Sequence, residues 1–119
     1  MKISDIQNLL KAEVLCCKEH LDGEVFSACG CDLMSDVLAY VKDQAVLLTG
    51  LVNPQVIRTA VMMDMVCIVF VRSKMPSEEM LALARENGIV IMRTDKTMYN
   101  AGGILYSNGL VGTRGATRE

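Results

Sequence analysis

Seven residues stand where a small ligand could be held: Thr49, Gly50, Asn53, Arg72, Ser73, Lys74 and Thr94. Arg72 and Lys74 bring positive charge, while Thr49, Asn53 and Thr94 offer neutral hydrogen bonds. Such a set suits a small anionic or nucleotide-like molecule. It holds no paired acid and base, so its residues point to binding rather than to proton transfer. Every α/β protein has loops of this kind, and the same residues serve equally well as ordinary caps and turns.

The cysteines are the second candidate group. Cys16-Cys17 and Cys29-Gly30-Cys31 could supply four thiolates to zinc or an iron–sulfur cluster. Neighbouring residues on a strand face opposite ways, however, so Cys16 and Cys17 do not readily share one ion. No CxxC spacing occurs, and Cys67 lies inside an apolar run as a small hydrophobe. We expect no bound metal. His20 is the single histidine and reads as a surface residue. Asp32 and Asp36 lie four apart on an expected helix, with Asp32 as its N-cap. A GxxxxGK[ST] loop, GxGxxG, GxSxG and HExxH are all missing, and no cofactor is expected.

The elements that must position these residues follow from the hydrophobic pattern. Ser4 is expected to cap a short helix carrying Ile6, Leu9 and Leu10 on one face. Val14 to Cys17 reads as a strand, Leu21-Asp22-Gly23 as a turn, and Glu24 to Ala28 as an alternating outer strand. A break at Cys29-Gly30-Cys31 precedes a helix burying Leu33, Met34, Val37, Leu38 and Val41.

From Ala45 onward strands and helices alternate. Val46–Thr49, Val66–Val71 and Ile89–Met92 are continuous apolar runs, as strands buried on both faces should be. Between them, Asn53-Pro54 opens a helix carrying Val56, Ile57, Ala60 and Val61 inward, and Ser77 caps another. Glu78 and Glu79 sit favourably at the positive end of that second helix's dipole, and Gly88 ends it. A last helix runs from about Thr97 to Asn108.

This pattern predicts a three-layer α/β domain with a mainly parallel sheet and a βαβαβ core. Its junctions Thr49-Gly50, Arg72-Ser73 and Arg93-Thr94 should share one sheet edge, each followed by a helix N-terminus able to hold an anion. We place one domain over residues 1–109 and a frayed tail over 110–119. Gly102-Gly103 inside the last helix is unusual, costing about 1 kcal/mol per glycine against alanine. Close packing on the sheet would explain it, as would approach of a ligand or second subunit.

Composition sets the outer limits. The 119 residues are 51% hydrophobic, enough for one self-sufficient core. Nine Met against two Phe, three Tyr and no Trp make that core aliphatic and thioether-rich. A formal net charge of −2 provides no electrostatic footprint for nucleic acid or an anionic membrane. The apolar run Met65–Val71 is too short to span a bilayer, and the start lacks a signal-peptide core. Five cysteines then read as reduced thiols in a cytoplasmic protein.

Longer strings resemble a known family. They are Cys29-Gly30-Cys31-Asp32-Leu33-Met34-Ser35-Asp36-Val37-Leu38-Ala39 and Leu48-Thr49-Gly50-Leu51-Val52-Asn53-Pro54-Gln55. Phe70-Val71-Arg72-Ser73-Lys74-Met75-Pro76-Ser77-Glu78-Glu79 and Gly102-Gly103-Ile104-Leu105-Tyr106 belong with them. All resemble DRTGG-domain proteins, over nearly the whole chain. The resemblance implies a fold similar to the N-terminal domain of HPr kinase/phosphorylase, without that enzyme's catalytic domain. Family members accompany CBS pairs or a phosphotransacetylase, and free-standing ones are often encoded beside iron-only hydrogenase genes. It therefore implies regulation, with a link to redox or hydrogenase metabolism. Two departures stand out. Leu51-Val52 follows Gly50 where the family has Asp-Arg, and Val71-Arg72-Ser73 stands where it has Thr-Gly-Gly.

Three functions remain open on these grounds. The leading one is a non-catalytic regulatory or ligand-sensing module. The second is an interaction module forming a homodimer or docking a protein partner through apolar surface, with Met62, Met65 and the Gly102-Gly103 pair as its contact residues. The third is a small enzyme using the strand-end loops.

Overall fold

Aliphatic runs without alternation become central strands here because helices cover both faces of the sheet. The computed structural model describes residues 1–41 and 44–112. In chain order the elements are α1 (Ile3–Leu10), β1 (Glu13–Cys16), β2 (Ser27–Gly30), α2 (Met34–Tyr40), β3 (Ala45–Thr49) and α3 (Pro54–Met62). They continue with β4 (Cys67–Phe70), α4 (Glu78–Glu86), β5 (Val90–Arg93) and α5 (Met98–Ser107). A single 3₁₀ turn, Lys18–His20, separates β1 from β2.

One five-stranded sheet has the order β1-β5-β4-β3-β2. β2 through β5 are parallel, in a register that sets Val46 beside Cys67 and Cys67 beside Val90. β1 alone runs antiparallel, on β5. The three strands expected to be parallel therefore share one sheet. Successive parallel strands step in one direction across it, so right-handed crossovers carry α2, α3 and α4 to one face. These three helices pack side by side, while α1 and α5 pack together over the other face. Phe70, Leu47, Leu48, Ile68, Ile91 and Met92 are fully buried between the layers. The core is aliphatic and thioether-rich, as composition required.

Several local expectations are corrected. α1 begins before Ser4, because the Asp5 carboxylate accepts from the Lys2 N–H at 3.1 Å and the Ile3 N–H is taken by the Gly23 carbonyl. The outer strand lies later than Glu24–Ala28, and Cys29-Gly30 belong to it rather than to a break. Asp32 does not cap α2, whose N-cap is Leu33. Met34 and Val37 of that helix and Val41 just after it are buried, but Leu33 and Leu38 are exposed at 57% and 39%. Val61 is likewise exposed on α3, where buried Thr59 takes the inward place.

Met65 is buried, so only Met62 of the proposed methionine pair faces solvent. Residues 110–112, placed in the expected tail, are held by the fold. Leu110 is buried and the Val111 carbonyl accepts from the Ala28 N–H at 3.0 Å, tying the chain to the free edge of β2. Residues 113–119 lie outside the described residues. Gly102 and Gly103 do not pack on the sheet: a Cβ on either would meet nothing within 4 Å among the described residues.

Candidate functional site

Parallel strands deliver their carboxyl ends to one edge, and here that edge gathers Asp32, Thr49, Gly50 and Arg72 around a single carboxylate. Asp32 follows the end of β2, one strand across from Thr49. Its Oδ1 accepts from the Thr49 hydroxyl at 2.8 Å and from the Gly50 N–H at 2.8 Å. The Thr49 hydroxyl in turn accepts from the Leu51 N–H at 3.2 Å. The Gly50 N–H holds the Asp32 carboxyl below the usual carboxylate range, helped by the Thr49 hydroxyl and the Arg72 charge and opposed by partial burial. A carboxylate held ionised in this way is a weak base and a good structural acceptor.

Arg72 owes its place to an unusual turn. Arg72 and Ser73 both have left-handed backbone, with φ of 54° and 57°, and the Lys74 N–H closes the turn on the Val71 carbonyl at 3.1 Å. Two adjacent non-glycine residues in that region carry strain of about 1–2 kcal/mol each. The Arg72 and Ser73 N–H groups donate to the Lys96 and Thr94 carbonyls, each at 2.8 Å, which holds the turn. The side chain lies over Gly50: a Cβ there would sit 2.9 Å from Nη2. A side chain at position 50 would push this flexible guanidinium aside from its place.

Among the described residues the ion pairs are made by the N-terminus, His20 and Arg93; Arg72 and Lys74 enter none. Both are exposed. Two cations therefore stand at the edge without a salt bridge among the described residues, Arg72 acting on the Asp32 carboxylate only through its charge.

Of the seven expected residues, Thr49, Gly50, Arg72, Ser73 and Lys74 come together or lie on the adjoining turn. Asn53 is spent on its own helix, its Oδ1 accepting from the Gln55 N–H at 2.8 Å. Thr94 is corrected out of the site. It is buried, and its hydroxyl donates to the Leu10 carbonyl at 2.8 Å, tying β5 to the end of α1. The helix N-termini are not open anion sites either, since Asn53, Ser77 and Thr97 cap α3, α4 and α5. Sequence reasoning missed Asp32 as the hub. Its signal was the apolar run continuing through Cys29, which makes Asp32 a fourth strand-end residue.

The cysteine pairs sit on β1 and β2, the two opposite edges of the sheet, and cannot converge. Among the described residues no three His, Cys, Asp or Glu side chains gather for one ion. Burial, then the neighbouring Cys16, pushes the Cys17 thiol up to about 11. Burial, then Cys31 and Asp36, pushes Cys29 to about 11 as well. His20 is exposed, as expected. A groove of about 910 Å³ follows α5 past Gly103 and Tyr106 and reaches this edge through Lys96, and Arg72 does not line it.

Residues 5–107 match the DRTGG domain family. The chain belongs to the DRTGG family. Leu51-Val52 and Val71-Arg72-Ser73, where the resemblance implies departures from the family's strings, all fall at or beside the edge just described. The DRTGG fold here is similar to a crystal structure of the CBS and DRTGG domains of the regulatory region of Clostridium perfringens pyrophosphatase, complexed with its activator diadenosine tetraphosphate. The two align with a TM-score of 0.69 at 16% identity, over 87% of this chain and 45% of that one. The likeness is one of fold, and this DRTGG domain spans less than half of that structure. None of the curated proteins matches the chain. Among the described residues, no helix is long and apolar enough to cross a membrane.

Proposed function

We propose that this DRTGG domain is a non-catalytic regulatory module that senses a small anionic ligand at the carboxyl edge of its sheet. The observation carrying this reading is Arg72: an exposed guanidinium that forms no salt bridge among the described residues, held over Gly50 by a strained turn. Strain maintained by surrounding hydrogen bonds is a mark of functional positions. Lys74 adds a second cation, and an arginine fork suits phosphate oxygens. The absence of catalysis is supported by Asp32, whose depressed pKa and two short hydrogen bonds leave it no role as a base. The similar regulatory region bound to diadenosine tetraphosphate supports a phosphate-bearing ligand class.

A thermal-shift screen tests the reading with diadenosine tetraphosphate, adenine mononucleotides and dinucleotides, and inorganic pyrophosphate. The expected link to redox or hydrogenase metabolism adds redox dinucleotides to the panel. A ligand at 100 times its Kd should stabilise the fold by about 2.7 kcal/mol through mass action. Arg72→Gln should weaken binding at least tenfold without unfolding the domain. If no compound shifts the parent protein, or if Arg72→Gln binds equally well, the reading fails.

A further inference from the structure

α5 differs from every other helix of the fold. No Asp, Glu, Lys or Arg occurs between Thr97 and Gly112, whereas α1, α2, α3 and α4 carry Asp5, Asp36, Arg58 and several charges including Glu79. Its inner side is settled, with Ala101 and Leu105 buried. Its outer side is not. Tyr99 is 89% exposed and Tyr106 67% exposed, and the glycines between them have open space where side chains would be. Neither glycine has the positive φ that only glycine tolerates well. Among the described residues, nothing uses their missing Cβ atoms.

On this face the tyrosines and glycines are spaced symmetrically: Tyr99 and Tyr106 each stand three positions from the nearer glycine of the Gly102-Gly103 pair. A two-fold axis through the Gly102–Gly103 bond would lay α5 antiparallel on a second α5. The bare backbones could then approach closely, and each Tyr99 would meet the other copy's Tyr106. Tyrosines seven apart lie on one side of a helix, so both contacts form together. Symmetry places identical surfaces against each other, and an uncharged face escapes the like-charge repulsion that would follow. The one cation nearby, Lys96, lies six residues before Gly102 and would fall near the far helix's C-terminal carbonyls, the negative end of its dipole. Met62 sits on α3 in the opposite layer, so one two-fold interface cannot use it as well.

We propose that this chain forms a two-fold homodimer through the outer face of α5, with Gly102 and Gly103 at the axis. Light scattering on the full chain at micromolar concentration should give twice the 13.0 kDa chain mass. Gly103→Glu has room in the monomer, opposes two carboxylates in the dimer and should halve the mass while circular dichroism stays native. Tyr99→Lys and Tyr106→Glu should each weaken the dimer, and the double variant should restore it by pairing Lys with Glu across the axis. A monomeric parent overturns the proposal. So does a native-folded Gly103→Glu that remains dimeric, or a dimer that only Met62→Lys dissociates, which would place the interface on α3.

Discussion

Removing the Asp32 carboxylate tests whether one side chain joins the ends of β2 and β3. Asp32→Ala strips the acceptor from the Thr49 hydroxyl and the Gly50 N–H, both now 2.8 Å away. Thr49 is fully buried, and a buried donor left unpaired costs about 1–3 kcal/mol. Asp32 itself is exposed, so solvent screens its charge and can hydrate the Gly50 N–H, which limits the loss to about 1–2 kcal/mol. For a domain of this size that corresponds to a Tm roughly 3–12 °C lower.

Urea unfolding followed by far-ultraviolet circular dichroism measures the loss. Thr49→Val removes the same hydrogen bond from the other side, so a double-mutant cycle should show coupling of about 0.5 kcal/mol or more. The pH dependence has a definite sign. Because the native Asp32 pKa lies below its ordinary value, the stabilisation is complete above about pH 4 and fades as pH falls toward the lower native value. Asp32→Asn should lack that acid-side loss. Additive effects of Asp32→Ala and Thr49→Val, with an unchanged acid limb in Asp32→Asn, would refute Asp32 as the hub.

Thr94→Val should destabilise the fold by about 1–2 kcal/mol, since it leaves the Leu10 carbonyl without its buried partner; the urea midpoint reads this directly. Ser73→Gly should raise stability by about 0.5 kcal/mol, because relief of the left-handed conformation outweighs the added freedom of the unfolded chain. An unchanged or lower midpoint would contradict the strain. Iodoacetamide at pH 8 should modify Cys17 and Cys29 far more slowly in the native protein than in urea, because burial holds both thiols protonated up to about 11. Peptide mapping of the alkylated sites checks this, and equal native and denatured rates would refute it.

The apolar runs through Leu47, Ile68 and Ile91 made the parallel sheet legible, because only a strand covered on both faces carries no polar alternation. The caps at Asn53, Ser77 and Thr97 were equally legible, as their chemistry is local. Edge elements were harder. β2 has one neighbour strand, so its limits depend on pairing with Leu47 and Leu48 rather than on its own pattern. Ser4 and Asp32 were misplaced for a related reason. Each is a good capping residue, but contacts distant in sequence took precedence over the local preference.

At the candidate site, the types and strand-end positions of Arg72, Ser73 and Lys74 could be read from the chain alone. That Arg72 lies over Gly50, that Asp32 joins Thr49 to Gly50, and that Thr94 turns to Leu10 instead could not. Periodicity determines which residues face inward, since it reflects repeating backbone geometry. Which side chains meet depends on register between strands and on turn conformation, and both are set only when the sheet assembles.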